Sequence, residues 1–157
     1  MRWLVNTLAT VGGVGYLPGA PGTAGSLVGL LLGFLTTPGL KDSPPYPFAL
    51  LAAVVGGFFL GVASSGEAER LFGLHDPSCV VIDECVGMWA VMVAVPITRV
   101  PFLAVVAFVL FRVFDIVKPP PLKRLARLPG GWGIMLDDLG ASAYTVGVLG
   151  VAKWLSG

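Results

Sequence analysis

The chain has 157 residues, of which 55% are hydrophobic and only 12% charged, and its net charge is +1; its mean hydropathy is +0.87. An ordinary soluble domain carries about 25% charged residues, so the composition points to a membrane protein with a single domain over 1–157, and the near-neutral charge gives no pull toward nucleic acid. Two cysteines, Cys79 and Cys85, are too few and too poorly spaced for a disulfide framework or a CxxC metal site, and they read as small buried apolar residues.

The opening MRWLVNTLATVGG superficially resembles a secretory signal, but Asn6, Thr7 and Thr10 interrupt its apolar core and no clean cleavage pattern follows. A short interfacial helix with Arg2 and Trp3 at the headgroup level fits it better. After the breaker-rich GYLPGAPGT, an apolar run over 24–36 predicts a first helix starting close to Thr23. The turn TPGLKDSPPYP leads into a second run over 48–63, followed by a polar stretch to Ser78 that holds the only histidine, His75.

A third run, Cys85 to Ile97, begins directly after Asp83-Glu84. A fourth, Val100 to Val117, carries Arg112 and Asp115 in its last two turns. KPPPLKRLARLPGGWG cannot be one continuous helix; it reads as a basic loop with a short amphipathic helix over 122–128. The fifth run is expected from Leu139 to Leu155, opening directly after Asp137-Asp138.

The fold expected is all-α: a small membrane-embedded bundle of about four to five apolar helices plus the N-terminal interfacial helix. Runs of 13 to 18 residues span about 20 to 27 Å, short of the ~30 Å hydrocarbon core. The rival is a peripheral all-α domain with apolar core helices, but so small a chain has little polar surface to cover five of them. Local thinning of the bilayer, or helix ends that continue into the polar motifs, would close the gap.

Threading five spans up and down places every charged cluster on one face. PGTAGS opens the first helix, Asp83-Glu84 the third and Asp137-Asp138 the fifth, while 67–76 close the second and 112–118 the fourth. Arg2, Arg70, Lys118, Lys123, Arg124 and Arg127 fall on that face, against Lys41, Arg99 and Lys153 on the other, which predicts a cytoplasmic site.

Asp83, Glu84, Asp115, Asp137 and Asp138 make up five of only nine acidic residues. Gathered beside lipid they repel one another unless a cation or basic partner compensates them. Hard oxygen ligands suit Mg²⁺, which often shares its shell with phosphate. Simple helix capping accounts for Asp83 or Asp137 alone, but not for two doublets together with Asp115.

Arg112, Asp115 and Lys118 recur at i, i+3, i+6 on one side of a helix. Taken alone, that is equally a structural ion-pair ladder; beside an acidic metal cluster it suits a phosphate held by Arg112 and Lys118. Thr23 and Ser26 at a helix N-terminus can add phosphate contacts, with capping as the plainer alternative. His75 is a candidate acid, base or orienting group. The alternation K-R-L-A-R-L after Leu122 suits a segment lying on anionic lipid, or a retention signal for the cytoplasmic side.

In order, GYLPGAPGTAGSL, HDPSCVVIDECVGMW, FRVFDIVKPPPL and GGWGIMLDDLGA resemble the phosphatidylglycerophosphatase A family, with the match dispersed over residues 12–141. The resemblance implies a Mg²⁺-dependent lipid phosphatase of the bacterial inner membrane that converts phosphatidylglycerophosphate to phosphatidylglycerol. It carries the family's PGTxGS element onto Pro21 to Ser26, its acidic pairs onto Asp83-Glu84 and Asp137-Asp138, its F-R-x-x-D-x-x-K-P element onto Phe111 to Pro119, and its histidine-aspartate onto His75-Asp76. Pro77 and the triple proline Pro119 to Pro121 stand out as local variations.

Residues and resemblance together predict metal ligation by Asp83, Glu84, Asp137 and Asp138, with water attacking phosphorus in line while Arg112 and Lys118 neutralise the phosphoryl oxygens. Glu84 is a candidate general base. Asp115 is left between orienting Arg112 or Lys118 and completing the metal shell. The partners implied are the phospholipid substrate and membrane lipids, and the number of copies is left open. The alternatives are an ion or proton transporter, disfavoured because the polar residues gather at one end, and a scaffold subunit packing through Gly29-x-x-x-Gly33.

Overall fold

A computed structural model describes residues 2–37, 46–95 and 101–155. Among them the chain is all-helical: α1 (Arg2–Ala9), a 3-10 turn (Val14–Tyr16), α2 (Pro21–Thr36), α3 (Tyr46–Phe72), α4 (Ile82–Ala94), α5 (Pro101–Val117), α6 (Leu122–Leu125) and α7 (Gly131–Leu155). The expected outer-face charges Lys41 and Arg99 lie outside the described residues, as do the expected end of the third run at Ile97 and the start of the fourth at Val100.

α4 is the central helix. Eight of its 13 residues are buried, and it packs against α2, α3, α5 and α7. Met88, Val91 and Met92 meet Ala107 and Phe111 of α5 on one side; Ile82 and Val86 join Phe58 of α3 and Ile134 of α7 on the other. The outer helices instead leave large apolar side chains exposed, among them Leu31, Phe59, Val109 and Val151.

Glycine explains how α2 sits so close to α4. Gly22, Gly25, Gly29 and Gly33 recur every three or four residues and so form one stripe along α2. A Cβ at Gly29 would overlap the Cys85 carbonyl, and one at Gly33 the Met92 side chain. The Gly29-x-x-x-Gly33 motif is therefore used inside the chain, against α4.

Two helices, Phe48–Phe72 and Gly131–Leu155, are long and apolar enough to cross a membrane. At 25 residues each they reach about 37 Å, past the ~30 Å core. Their extra length is the polar sequence at one end, which stays helical and carries each helix beyond its apolar run. α2, α4 and α5 have 16, 13 and 17 residues, about 20 to 26 Å, and fall short of that thickness.

Two expected boundaries are corrected. α7 starts at Gly131 rather than Leu139, because the glycines that resemble a loop serve close packing: a Cβ at Gly131 would overlap the Val62 carbonyl of α3. The amphipathic segment after the prolines is a single turn, Leu122–Leu125, rather than a helix to Leu128; Leu122 is buried and Lys123, Arg124 and Arg127 lie toward the surface.

Candidate active site

The start of α2, the start of α4, the end of α5 and the second turn of α7 converge at one end of the bundle. Asp83 and Glu84 occupy the first turn of α4, where the unpaired N–H groups favour negative charge. Asp137 and Asp138 lie not at the opening of α7 but about 10 Å along it, inside the bundle. Asp83, Asp115, Asp137 and Asp138 are exposed by only 8%, 9%, 3% and 2%, so none is a solvated surface acid.

Ion pairing divides the five carboxylates. Arg112 donates to Asp115 at 2.6 Å, which gives Asp115 its place as the partner of that guanidinium. Lys118 donates to Asp137. The same Arg112 nitrogen also reaches the Ser26 hydroxyl at 3.3 Å and lies 3.8 Å from Glu84 Oε1. With Arg112 and Lys118 engaged in this way, Asp83 and Asp138 have no ion pair among the described residues, and Glu84 shares only the longer contact with Arg112.

One oxygen from each of these three can be chosen so that all lie within 4.8 Å of one another. Each of the three also has a buried oxygen with no hydrogen-bond partner among the described residues, Asp83 Oδ1, Glu84 Oε2 and Asp138 Oδ2; Asp137 Oδ1 is likewise unpaired, although the other Asp137 oxygen accepts from Lys118. Uncompensated buried carboxylates are destabilising by several kcal/mol each, on the order of a lost buried ion pair. A divalent cation accepts three converging carboxylates and relieves that repulsion, so the donor set fits a metal ion. Asp137, expected as a fourth ligand, is outside this trio, with one of its oxygens held by Lys118.

Lys118 follows the last residue of α5 with φ +48°, and its N–H closes the helix onto the Phe114 carbonyl at 2.8 Å. That left-handed position usually takes glycine and is unfavourable by roughly 1–2 kcal/mol for other residues. Here the side chain reaches Asp137. Burial alone would lower the Lys118 pKa, but the hydrogen bond to Asp137 and attraction from Asp137, Asp138 and Asp115 outweigh it and raise it, so the amine stays charged.

The N-terminus of α2 completes the cationic side. Pro21 occupies the first turn and Ala20 supplies no side-chain cap, so the first turn of this helix offers N–H groups to a ligand. Ser26 is buried and donates to the Gly22 carbonyl at 2.8 Å, while Thr23 is half-buried nearby. Gly22 is a spatial requirement: a Cβ there would overlap Glu84 Oε1 and come within 3.2 Å of the Arg112 guanidinium.

The family described as Phosphatidylglycerophosphatase A matches residues 7–153. This chain belongs to that family. The phosphatidylglycerophosphatase A of Haemophilus influenzae is 36% identical over 155 residues, covering 96% of this chain and 90% of that protein. The phosphatidylglycerophosphatase A of Escherichia coli is 35% identical over 144 residues, covering 90% and 79%. A protein of Bacteroides thetaiotaomicron named "Putative phosphatidylinositol-3-phosphatase" is 38% identical over 146 residues, covering 92% and 91%. No solved structure matches the chain significantly. Family membership makes the chain an enzyme, a phosphatidylglycerophosphatase, as its four ordered motifs implied.

Within the phosphatidylglycerophosphatase A framework, Asp83, Glu84, Arg112, Asp115, Lys118, Asp137, Asp138, Thr23 and Ser26 all belong to this end of the bundle. His75 is placed elsewhere: it is exposed and pairs through Nδ1 with Glu69 of α3 at 2.5 Å. Asp76, next in the chain, is exposed, and its N–H donates to the same Glu69 oxygen at 2.9 Å.

Proposed function

We propose that this protein is a Mg²⁺-dependent, multi-pass lipid phosphatase of the bacterial cytoplasmic membrane, hydrolysing phosphatidylglycerophosphate to phosphatidylglycerol and phosphate at the cytoplasmic face. The observation that carries the reading is the division of charge at the site. Arg112 and Lys118 each have a carboxylate partner, leaving Asp83, Glu84 and Asp138 to converge, each with an oxygen unpaired among the described residues.

Asp83, Glu84 and Asp138 would hold the ion, which when bound supplies a Lewis acid for the phosphate and a site for activating water. Arg112 and Lys118 meet the phosphoryl oxygens, where charge-assisted hydrogen bonds strengthen as charge develops. Asp115 fixes Arg112, and Asp137 fixes Lys118, so neither cation must be reorganised during the reaction. The α2 N-terminus, with Thr23 and Ser26, offers further donors to the same phosphate. Glu84, the member of the trio that also lies 3.8 Å from Arg112, would accept the proton from the attacking water.

Two features support the membrane setting: the exposed apolar sides of the outer helices, and the basic residues Arg2, Arg70, Lys123, Arg124 and Arg127, which up-and-down threading puts on the same side as the acidic pairs. A lipid tail then remains in the bilayer while its headgroup phosphate meets the charged end. The relative named for a phosphatidylinositol phosphate shares the essential chemistry, a phosphomonoester on a lipid headgroup.

The test is phosphate release by purified protein from micelles containing phosphatidylglycerophosphate, phosphatidylinositol 3-phosphate or phosphatidic acid. Phosphatidylglycerophosphate is expected to be hydrolysed fastest, with activity lost on chelation and restored by Mg²⁺. Absence of release from that lipid in Mg²⁺ would refute the proposal.

A further inference from the structure

The turn that carries Lys118 away from α5 is fastened along one stripe of α7. Asp137, Gly140 and Tyr144 recur at i, i+3, i+7 and so share a face, and each meets a different part of the turn. Asp137 takes the Lys118 amine. Gly140 makes room for Leu122, since a Cβ there would come within 3.0 Å of Leu122 Cδ1, and Leu122 is fully buried. The Tyr144 hydroxyl donates to the Pro120 carbonyl at 2.6 Å, and its ring lies 5.3 Å from the ring of Phe114.

The three consecutive prolines give that hydroxyl its importance. Pro119, Pro120 and Pro121 have no N–H, so their backbone can be held only through its carbonyls. The Pro119 carbonyl accepts from Leu122 N–H at 2.8 Å, and the Pro121 carbonyl from Arg124 N–H at 2.8 Å and Leu125 N–H at 3.2 Å; these bonds stay within the turn. The Pro120 carbonyl differs, because its donor comes from another helix. On the other side of Lys118, its own N–H is bound to the Phe114 carbonyl at 2.8 Å, and Phe114 is the residue on which the Tyr144 ring rests. Tyr144 therefore meets the chain both before and after Lys118, whose φ of +48° needs such support from its surroundings.

We propose that Tyr144 is a positioning residue for the reaction: by tying Pro120 and packing on Phe114 it fixes the turn at Lys118 and so aims the amine at the phosphoryl oxygens. The assignment rests on the lipid-phosphatase reading. It also gives the triple proline a role, since a stiff segment passes the Tyr144 tie on to Lys118 where a flexible one would absorb it. The hydroxyl touches no reacting atom and acts through the amine, so its loss shows in turnover and depends on Lys118 being present.

The experiment compares Tyr144→Phe, Tyr144→Leu, Lys118→Met and the Tyr144→Phe/Lys118→Met double variant, full-length in detergent. It measures kcat and KM for phosphate release from phosphatidylglycerophosphate, the thermal midpoint, and hydrogen exchange at the amides of Lys118 and residues 122–126. Tyr144→Phe keeps the ring and is expected to lower kcat about tenfold with KM within about twofold of wild type. Its thermal midpoint stays near that of wild type, while exchange at Lys118 and in 122–126 speeds up. Tyr144→Leu loses the ring as well, with at least the same fall in kcat and a lower midpoint. Added to Lys118→Met, Tyr144→Phe costs less than about twofold more, as for residues acting as a unit. A wild-type kcat in Tyr144→Phe, its full loss repeated on top of Lys118→Met, or unchanged exchange in Tyr144→Phe would overturn the assignment. Exchange needs no substrate, so a wild type silent toward the lipid would refute the phosphatase reading, while the tie between Tyr144 and the turn is still judged by its own measurement.

Discussion

The two acidic pairs, identical in spacing along the chain, do different work in space. Asp83-Glu84 sit in the first turn of α4, and both turn toward the trio. Asp137-Asp138 sit inside α7 and divide: Asp138 joins Asp83 and Glu84, while Asp137 turns to Lys118. Adjacent carboxylates on a helix are therefore a ligand pair only when both can converge on one point. Both pairs step by roughly 100° around their helices; what sets Asp137 apart from Asp138 is the Lys118 amine that holds it.

The largest expected effect tests that division. Asp138→Asn removes one ligand of a three-carboxylate set and is expected to cut kcat/KM by about 10³-fold or more and weaken metal activation by about 10- to 100-fold. Asp137→Asn leaves the trio intact and is expected to lose about 10²-fold in kcat through a misplaced Lys118, with the Mg²⁺ requirement unchanged. A Mg²⁺ titration of phosphate release separates the two; equal shifts in Mg²⁺ requirement would erase the distinction.

Removing Lys118 sharpens the same comparison through stability. Lys118→Met leaves Asp137 buried without its cation and is expected to destabilise by about 3 kcal/mol, while Lys118→Met/Asp137→Leu recovers most of that loss without recovering activity. Thermal unfolding in detergent provides the readout. If the double variant were no more stable than Lys118→Met, the pairing would not matter to the fold.

Glycine substitutions on α2 give smaller effects of two kinds. Gly22→Ala pushes against Glu84 and Arg112 and is expected to lower activity by about tenfold or more with the fold retained. Gly29→Ala meets the rigid Cys85 backbone and is expected to lower stability by about 1–3 kcal/mol. Comparing thermal midpoint with residual activity in both variants checks whether the start of α2 serves the site and its middle serves packing. Thr23→Ala, at the edge of the site, is expected to change kcat by less than tenfold.

The sequence made the first pair legible and the second only half so. An apolar run beginning at Cys85 places Asp83-Glu84 at a helix start because no competing signal intervenes. Gly130 to Gly133 reads as a loop, and this concealed the first two turns of α7; Gly131 instead admits the α3 backbone at Val62 and Gly66, and Gly133 the carbonyls of Ala126 and Leu128. That substitution of packing for flexibility moved Asp137-Asp138 from a helix cap to a buried position. The split between them depends on Lys118, whose left-handed turn before three prolines is a tertiary accommodation. The pairing of Glu69 with His75 and the Asp76 amide was unreadable for a related reason, since it joins a helix end to a loop that contacts Ala9 and Gly15.

Direct cation binding tests the central claim most simply. Mn²⁺ titrated into wild type, Asp138→Asn and Asp137→Asn, and followed by electron paramagnetic resonance of the free ion, reports binding without any turnover. The trio predicts that wild type and Asp137→Asn bind Mn²⁺ with similar affinity while Asp138→Asn binds at least about tenfold more weakly; loss of binding in Asp137→Asn with retention in Asp138→Asn would contradict it.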